Sequence, residues 1–225
     1  PGASIYYTTD GSDPGPTSPS VDAPDPQSPP VLSLDISTTT LVRAYASKPG
    51  FQKTNTDTHT YLYVDEIINN PAMATSVTGH PVWGPQMREA LLEIPTISLV
   101  TQEAIPTQPI MSPPEIPVSI EMIFPDGQDG FQLDAGVERF GGQYTVYEKH
   151  ALRISFKEIY GKKKLKFDLF SDTPYGGDTA VESFDQILLR NGSHDSLFAT
   201  NYAHSRGVYV RNRYFFDRQL EAGHL

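Results

Sequence analysis

The chain has 225 residues, a net charge of -10, 38% hydrophobic residues and no cysteine. The charge argues against a general nucleic-acid-binding protein, because such proteins neutralise phosphates with an excess of Lys and Arg. The lack of cysteine excludes disulfides, thiolate nucleophiles and cysteine-type zinc sites, and no apolar run approaches the ~18 residues that cross a bilayer. The length is that of one or two domains. The 20 prolines and 17 glycines between short apolar runs favour strands and loops over long helices.

Three segments in the first third of the chain alternate apolar and polar residues, as half-buried strands do. They cover residues 5–9, 38–47 and 58–64. Between the first two, residues 10–30 contain seven prolines, which predicts a loop because proline has no N–H for a strand ladder. Short strands separated by turns in this way predict a small β-sandwich module.

Two carboxylates, Asp10 and Asp13, flank Gly11 at the end of the first predicted strand. A calcium loop of the EF-hand type needs oxygen ligands at alternate positions and a closing glutamate, which is missing here. A turn explains the pair more simply, because Gly11 can take a positive φ and Asp13 is held extended by Pro14. We therefore predict a hairpin turn, with a weak metal site and a catalytic pair as the alternatives.

The middle of the chain, residues 63–115, has no clear period and is predicted to be a connector with a short helix. That helix is expected in "QMREALLEI", and a strand is expected in "TISLV". From residue 116 the alternation returns. Strands are predicted on both sides of the Asp-Gly turn in "PDGQDG". Further strands are predicted at residues 151–156 and 164–170, and a buried strand at 183–191.

One long helix is predicted near the end of the chain, over "VRNRYFFDRQLEAG". Tyr214, Phe215 and Leu220 can share an apolar stripe on it, and Gly223 stands where a helix C-cap is expected. The fold class is therefore mostly β with some α. The six histidines show no metal-ligand spacing, so no metal site is predicted from them. No nucleophile elbow and no recognisable catalytic base are present, so no catalytic residue is predicted.

Two parts of the chain resemble known families. "GASIYYTTDGSDPGPTSP" and "TTTLVRAYASKPGF" resemble the β-sandwich module at the C-terminus of chitobiase and β-hexosaminidase, also called the fibronectin-type-III-associated repeat. From about Tyr61 onward the chain is similar to the CotH family of spore-coat-kinase-like proteins, in its large bacterial surface-protein branch. The order and spacing of "YLYVDEIINNPAM", "YGKKKLKFDLF", "FDQILLRNGSHDS" and "VRNRYFFDRQL" carry this second resemblance.

The resemblance implies an Ig-like β-sandwich at residues 1–62, a connector at 63–115, and the N-terminal lobe of an atypical kinase-like α+β domain at 116–225. It implies a fragment, cut at both ends, of an exported bacterial protein located outside the cell or at its surface. The family's Lys-Glu and metal-binding Asp/Asn motifs lie downstream of the Arg-Asn helix. No cofactor is therefore expected in this fragment, whereas ATP and Mg²⁺ are expected for a complete and active domain.

The resemblance also marks a glycine-rich stretch between two predicted strands. Exposed backbone N–H groups beside cationic side chains suit a phosphate or nucleotide. The matching positions are held by Gly141, Gly142, Lys149 and Arg153. Tyr144 and Thr145 replace two polar residues of the family, so a simple strand-linking loop is the alternative. Arg211 and Asn212, which open the last helix, match a position that helps to organise the family's site; a helix-surface pair is the alternative there.

Residues 149–166 carry seven Lys or Arg residues against one carboxylate, Glu158. A lysine-protected strand edge explains the run, and a site for an anionic ligand is the alternative. Strand periodicity places Arg153 and Lys157 on the face opposite Ile154, so we expect a strongly electropositive surface here.

Two classes of function follow from these observations. One is an exported kinase-like phosphotransferase when complete. The other is a non-catalytic surface or adhesion protein whose kinase-like lobe has lost its chemistry and whose partner is a surface protein or a glycan. A third, an accessory region of a glycoside hydrolase, rests on the first module alone.

Overall fold

The computed structural model describes residues 1–106, 114–141, 150–171, 177, 180–191 and 211–223. Most regular structure is antiparallel strand and the helices are few and short, which confirms the predicted fold class of mostly β with some α. Among these residues, none of the helices has the length and apolar character of a bilayer-crossing segment.

Close packing divides the chain into two compact units. The first comprises Pro1–Gln102 with Val118–Asp134, and the second comprises Glu103–Pro117 with Ala135–Leu225. Each unit is therefore assembled from segments that are not continuous in the sequence.

The first unit contains a four-stranded antiparallel sheet in the order β2-β1-β3-β4. Its strands are β1 (Ser4–Thr8), β2 (Ser20–Asp22), β3 (Thr40–Ser47) and β4 (Asp57–Tyr61). Tyr6 of β1 lies opposite Tyr45 of β3, and their rings stack with centroids 5.2 Å apart. This contact, on one face of the sheet, stabilises the pairing of β1 with β3.

Two expectations for this region are wrong in part. The segment at 10–30 is not all loop, because β2 pairs with β1 at the edge of the sheet. The three residues of β2 lie between Pro19 and Pro24, so a short proline-free stretch is enough to form a ladder. The strand predicted at 58–64 ends at Tyr61, and helix α1 (Val64–Ile68) begins soon after it.

After α1 the chain forms α2 (Thr75–Thr78), a 3₁₀ turn (Gly84–Gln86), α3 (Met87–Leu92) and β5 (Thr96–Val100). The predicted short helix and the strand after it are thus confirmed.

Strands β6 (Ile116–Ile123) and β7 (Phe131–Phe140) follow, each contributing residues to both units. Between them Gly127 takes a φ of 80° and Asp126 accepts a hydrogen bond from the Gln128 N–H, as predicted for a turn.

A five-stranded sheet has the order β11-β8-β7-β6-β5, with β8 at Ala151–Ser155 and β11 at Gln186–Leu189. Its apolar residues alternate as predicted, and Ile120, Val137 and Ile154 are fully buried. A separate pair is formed by β9 (Leu165–Lys166) and β10 (Ser183–Phe184). The prediction for 164–170 is therefore too long, since only two residues pair.

The predicted buried strand at 183–191 is also wrong. The segment is divided between two sheets at Asp185, and the part in β11 forms a sheet edge where Leu188 is 47% exposed. Helix α4 (Arg211–Glu221) lies within the predicted helical segment, and Gly223 has a φ of 72° near its end. Its predicted apolar stripe is not buried, since Tyr214 and Phe215 are more than half exposed. The side chain of Leu220 lies outside the described residues.

Candidate functional site

Asp10, which follows β1, forms a turn with Gly11 and Ser12. The Asp10 carboxylate accepts hydrogen bonds from the N–H and the hydroxyl of Ser12, at 3.0 and 2.6 Å. These bonds lower the pKa of Asp10. Gly11 has a φ of 81°, and a Cβ there would lie 2.9 Å from the side chain of Leu41. The predicted turn is therefore confirmed at Asp10 and Gly11, with Gly11 required by both its backbone conformation and the space around it.

Asp13 has a partner that the sequence analysis missed, the buried guanidinium of Arg43 on β3. Arg43 also donates to the hydroxyl of Thr58 at 3.2 Å. Burial raises the pKa of nearby Asp134, and Arg43 acts against that rise. The carboxylates of Asp57 and Asp13 raise this pKa further. An arginine in the apolar alternation of "LVRAYA" was the available signal, because a buried cation needs carboxylate or hydroxyl partners.

Of the predicted phosphate-site residues, Gly141 stands at the end of β7 with a φ of 113°. Among the described residues, no atom lies within 4 Å of where its Cβ would be, and the residue is exposed. Gly142 and Lys149 lie outside the described residues, as do the side chains of Arg211 and Asn212. Gly141 and Arg153 are therefore the two predicted site residues that can be placed in full.

Arg153 lies on β8 directly opposite Glu138 of β7. Its Nη1 is 2.7 Å from Glu138 Oε1, and its guanidinium lies 4.6 Å from the centroid of the Phe140 ring. The two charged side chains are only 33% and 19% exposed. The predicted two-faced strand is confirmed, since Ile154 is buried on the opposite face. The positive charge of Arg153 is balanced by a carboxylate and does not stand alone at the surface.

Lys157 belongs to a second cluster that the sequence analysis missed. Its Nζ lies 2.8 Å from both carboxylate oxygens of Glu115, and the Tyr160 hydroxyl donates to Glu115 at 2.8 Å. Burial and the bond to Glu115 raise the pKa of Tyr160 to about 12. Burial also acts to raise the pKa of Glu115, but hydrogen bonds from Lys157, Tyr160 and Ser155 lower it overall. The cluster fixes the segment before β6 to the turn after β8.

Gly136 of β7 provides the space for this cluster. A Cβ at Gly136 would lie 2.6 Å from Cδ and Oε1 of Glu115 and 2.6 Å from Cε2 of Tyr160. Any side chain there would displace the carboxylate from its hydrogen-bonded position. No signal in the sequence connects these residues, because Glu115 and Tyr160 are 45 positions apart.

Across the described ranges, no group of three or more His, Asp or Glu residues is arranged to hold a metal ion. No family model matches the chain, and no curated protein or solved structure matches it. The fold and the described side chains define a β-rich protein whose ionic clusters join neighbouring strands and turns.

Proposed function

We propose that the chain is part of an exported, CotH-like surface protein. Residues 1–62 form its Ig-like module, and its kinase-like lobe serves binding instead of phosphoryl transfer. The ion pair between Arg153 and Glu138 supports this proposal most directly. In the family resemblance, Arg153 is one of the cations that approach a phosphate. In this chain it faces a carboxylate across the hairpin, and its guanidinium covers an aromatic ring.

The pair is unfavourable for phosphate binding on electrostatic grounds. A phosphate that approaches Arg153 also approaches Glu138, whose negative charge repels it. Cross-strand ion pairs and cation–π contacts each stabilise a hairpin by roughly 0.2–1 kcal/mol. Both would be weakened if Arg153 turned toward a ligand. Arg153 is therefore better suited to hold β7 and β8 together than to bind phosphate. The surface of this lobe would then serve a protein or glycan partner.

Phosphoryl transfer by the complete domain is the second candidate, favoured by the position of Gly141. This exposed glycine directly follows β7 in a positive-φ conformation, next to the strand pair that carries Arg153. Backbone N–H groups in such a loop can bind phosphate oxygens. Under this candidate Lys149 and Arg153 supply the charge, and ATP and Mg²⁺ bind with the help of residues outside this chain.

Calorimetric titration of ATP with Mg²⁺ into the chain, and into a longer version that includes the downstream sequence, separates the two candidates. The binding proposal expects no nucleotide affinity in either protein and none in Glu138→Gln, which removes the competing carboxylate. The phosphotransferase candidate expects binding by the longer protein. That binding should tighten in Glu138→Gln and weaken in Arg153→Ala, while Lys53→Ala serves as the remote control. Nucleotide binding with that dependence would overturn our proposal.

A further inference from the structure

The turn that joins β8 to β9 presents an unusual combination of side chains. We call residues 159–166 the basic turn. Four of its eight residues are lysines, and all four are exposed. Ile159 is 82% exposed, the highest value among the large apolar side chains described. Protection of a strand edge accounts for the lysines alone, and Ile159 places an apolar side chain beside them.

The basic turn is firmly attached to the fold at both ends. The N–H groups of Tyr160 and Gly161 donate to the Lys157 carbonyl, at 3.0 and 3.2 Å. The Tyr160 hydroxyl is bound to Glu115, and the side chain of Leu165 is 1% exposed. A surface presented on such a backbone loses little conformational entropy when it binds a partner.

The lysines of the basic turn are only partly neutralised. Lys164 Nζ lies 3.2 Å from Asp185, in a pair in which both side chains are well exposed. No carboxylate of the described segments is within ion-pair distance of Lys162 or Lys163. Glu158 is the one acidic neighbour in sequence. The chain as a whole carries -10, but charges farther away than a Debye length of about 8 Å are largely screened at physiological salt.

We propose that the basic turn docks this protein onto a bilayer that contains anionic lipids. Ile159 would enter the interfacial region, and Lys162 and Lys163 would contact lipid phosphates. Lysines near an anionic membrane and an apolar side chain inserted beside them are the two contributions that hold peripheral proteins reversibly. A soluble polyanion would use the lysines but would leave Ile159 in water. The exposed isoleucine therefore favours a lipid surface over a soluble polyanion. The proposal does not depend on the function proposed above.

Sedimentation of the whole chain with vesicles tests the proposal. The protein should bind vesicles with about 30 mol% phosphatidylserine, should not bind phosphatidylcholine alone, and should bind less as salt increases. Lys162→Ala/Lys163→Ala should weaken binding about 25-fold, since each lysine contributes about fivefold. Ile159→Ser should weaken it about fivefold through lost apolar burial. Lys48→Ala/Lys53→Ala, which removes the same charge from the first unit, should change it less than about twofold.

Thermal unfolding of each variant verifies that the fold is retained, so that a loss of binding reports on the surface. Absence of vesicle binding by the wild-type chain would overturn the proposal, as would equal binding to neutral vesicles. A loss in the Lys48/Lys53 control as large as in the basic-turn variant would show diffuse charge attraction. Polyphosphate that competes with vesicles, together with an Ile159→Ser variant that binds normally, would show a soluble-polyanion site. Diffuse charge attraction and a soluble-polyanion site would each overturn membrane docking.

Discussion

Replacing Gly136 by alanine tests whether the Glu115 cluster holds the second unit together. The new Cβ would lie 2.6 Å from atoms of both Glu115 and Tyr160, closer than any normal carbon contact. The strand backbone of β7 is held by pairing with β8 on one side, so it cannot easily move away. We therefore expect the carboxylate and the phenol ring to shift and their hydrogen bonds to break.

The expected cost follows from two contributions. Overpacking in a well-packed site costs about 1–3 kcal/mol. Loss of charge-assisted hydrogen bonds costs about 1.5–3 kcal/mol more where a partly buried carboxylate is left without them. Alanine is intrinsically more favourable than glycine in a strand, which offsets about 0.5–1 kcal/mol of this destabilisation. Gly136→Ala should therefore lower the free energy of unfolding by about 1.5–5.5 kcal/mol.

Urea unfolding followed by circular dichroism measures this loss. Gly15→Ala is a matched control, because no atom of the described segments lies within 4 Å of its Cβ position and the change should be nearly neutral. In a Glu115→Ala/Tyr160→Ala background the space is vacated, and Gly136→Ala should cost less than in the wild-type chain. A loss below about 0.5 kcal/mol in the wild-type background, or equal costs in both backgrounds, would refute the reasoning.

Three further predictions concern other contacts. Because the pKa of Glu115 is lowered in the fold, its contribution is complete above its ordinary value of 4.5 and is lost as pH falls through the lower folded value. Urea unfolding of Glu115→Gln should therefore vary less with pH below 4.5 than unfolding of the wild-type chain. Asp13→Ala should lower the melting temperature, since buried Arg43 loses a partner worth about 1–2 kcal/mol. Added calcium should leave the melting temperature of the wild-type chain unchanged. His80 stacks on Trp83, the single tryptophan, with ring centroids 3.9 Å apart. His80→Ala should therefore shift the emission maximum of Trp83 to longer wavelength, and an unchanged emission spectrum would contradict the stack.

The local pattern of the sequence was sufficient to predict most strands. Alternation identified β1, β3, β6, β7 and β8, because side chains on a strand point to opposite faces and one face must be buried. The turn at Gly11 was equally predictable, since an Asp-Gly pair offers both a hydrogen-bond acceptor and a residue that tolerates positive φ. These features depend only on neighbours within a few positions.

Pairing between distant segments was decided by the tertiary structure. Strand β2 exists because its three residues meet the free edge of β1, and the segment at 183–191 divides because its two halves find different partners. The same holds for the partners of Arg43 and Glu115. A charged side chain shows in the sequence that it needs a counter-charge once it is buried. Which charged partner or hydrogen-bonding hydroxyl meets it is set by strand register and by the space beside Gly136, and neither is encoded in residues adjacent to it.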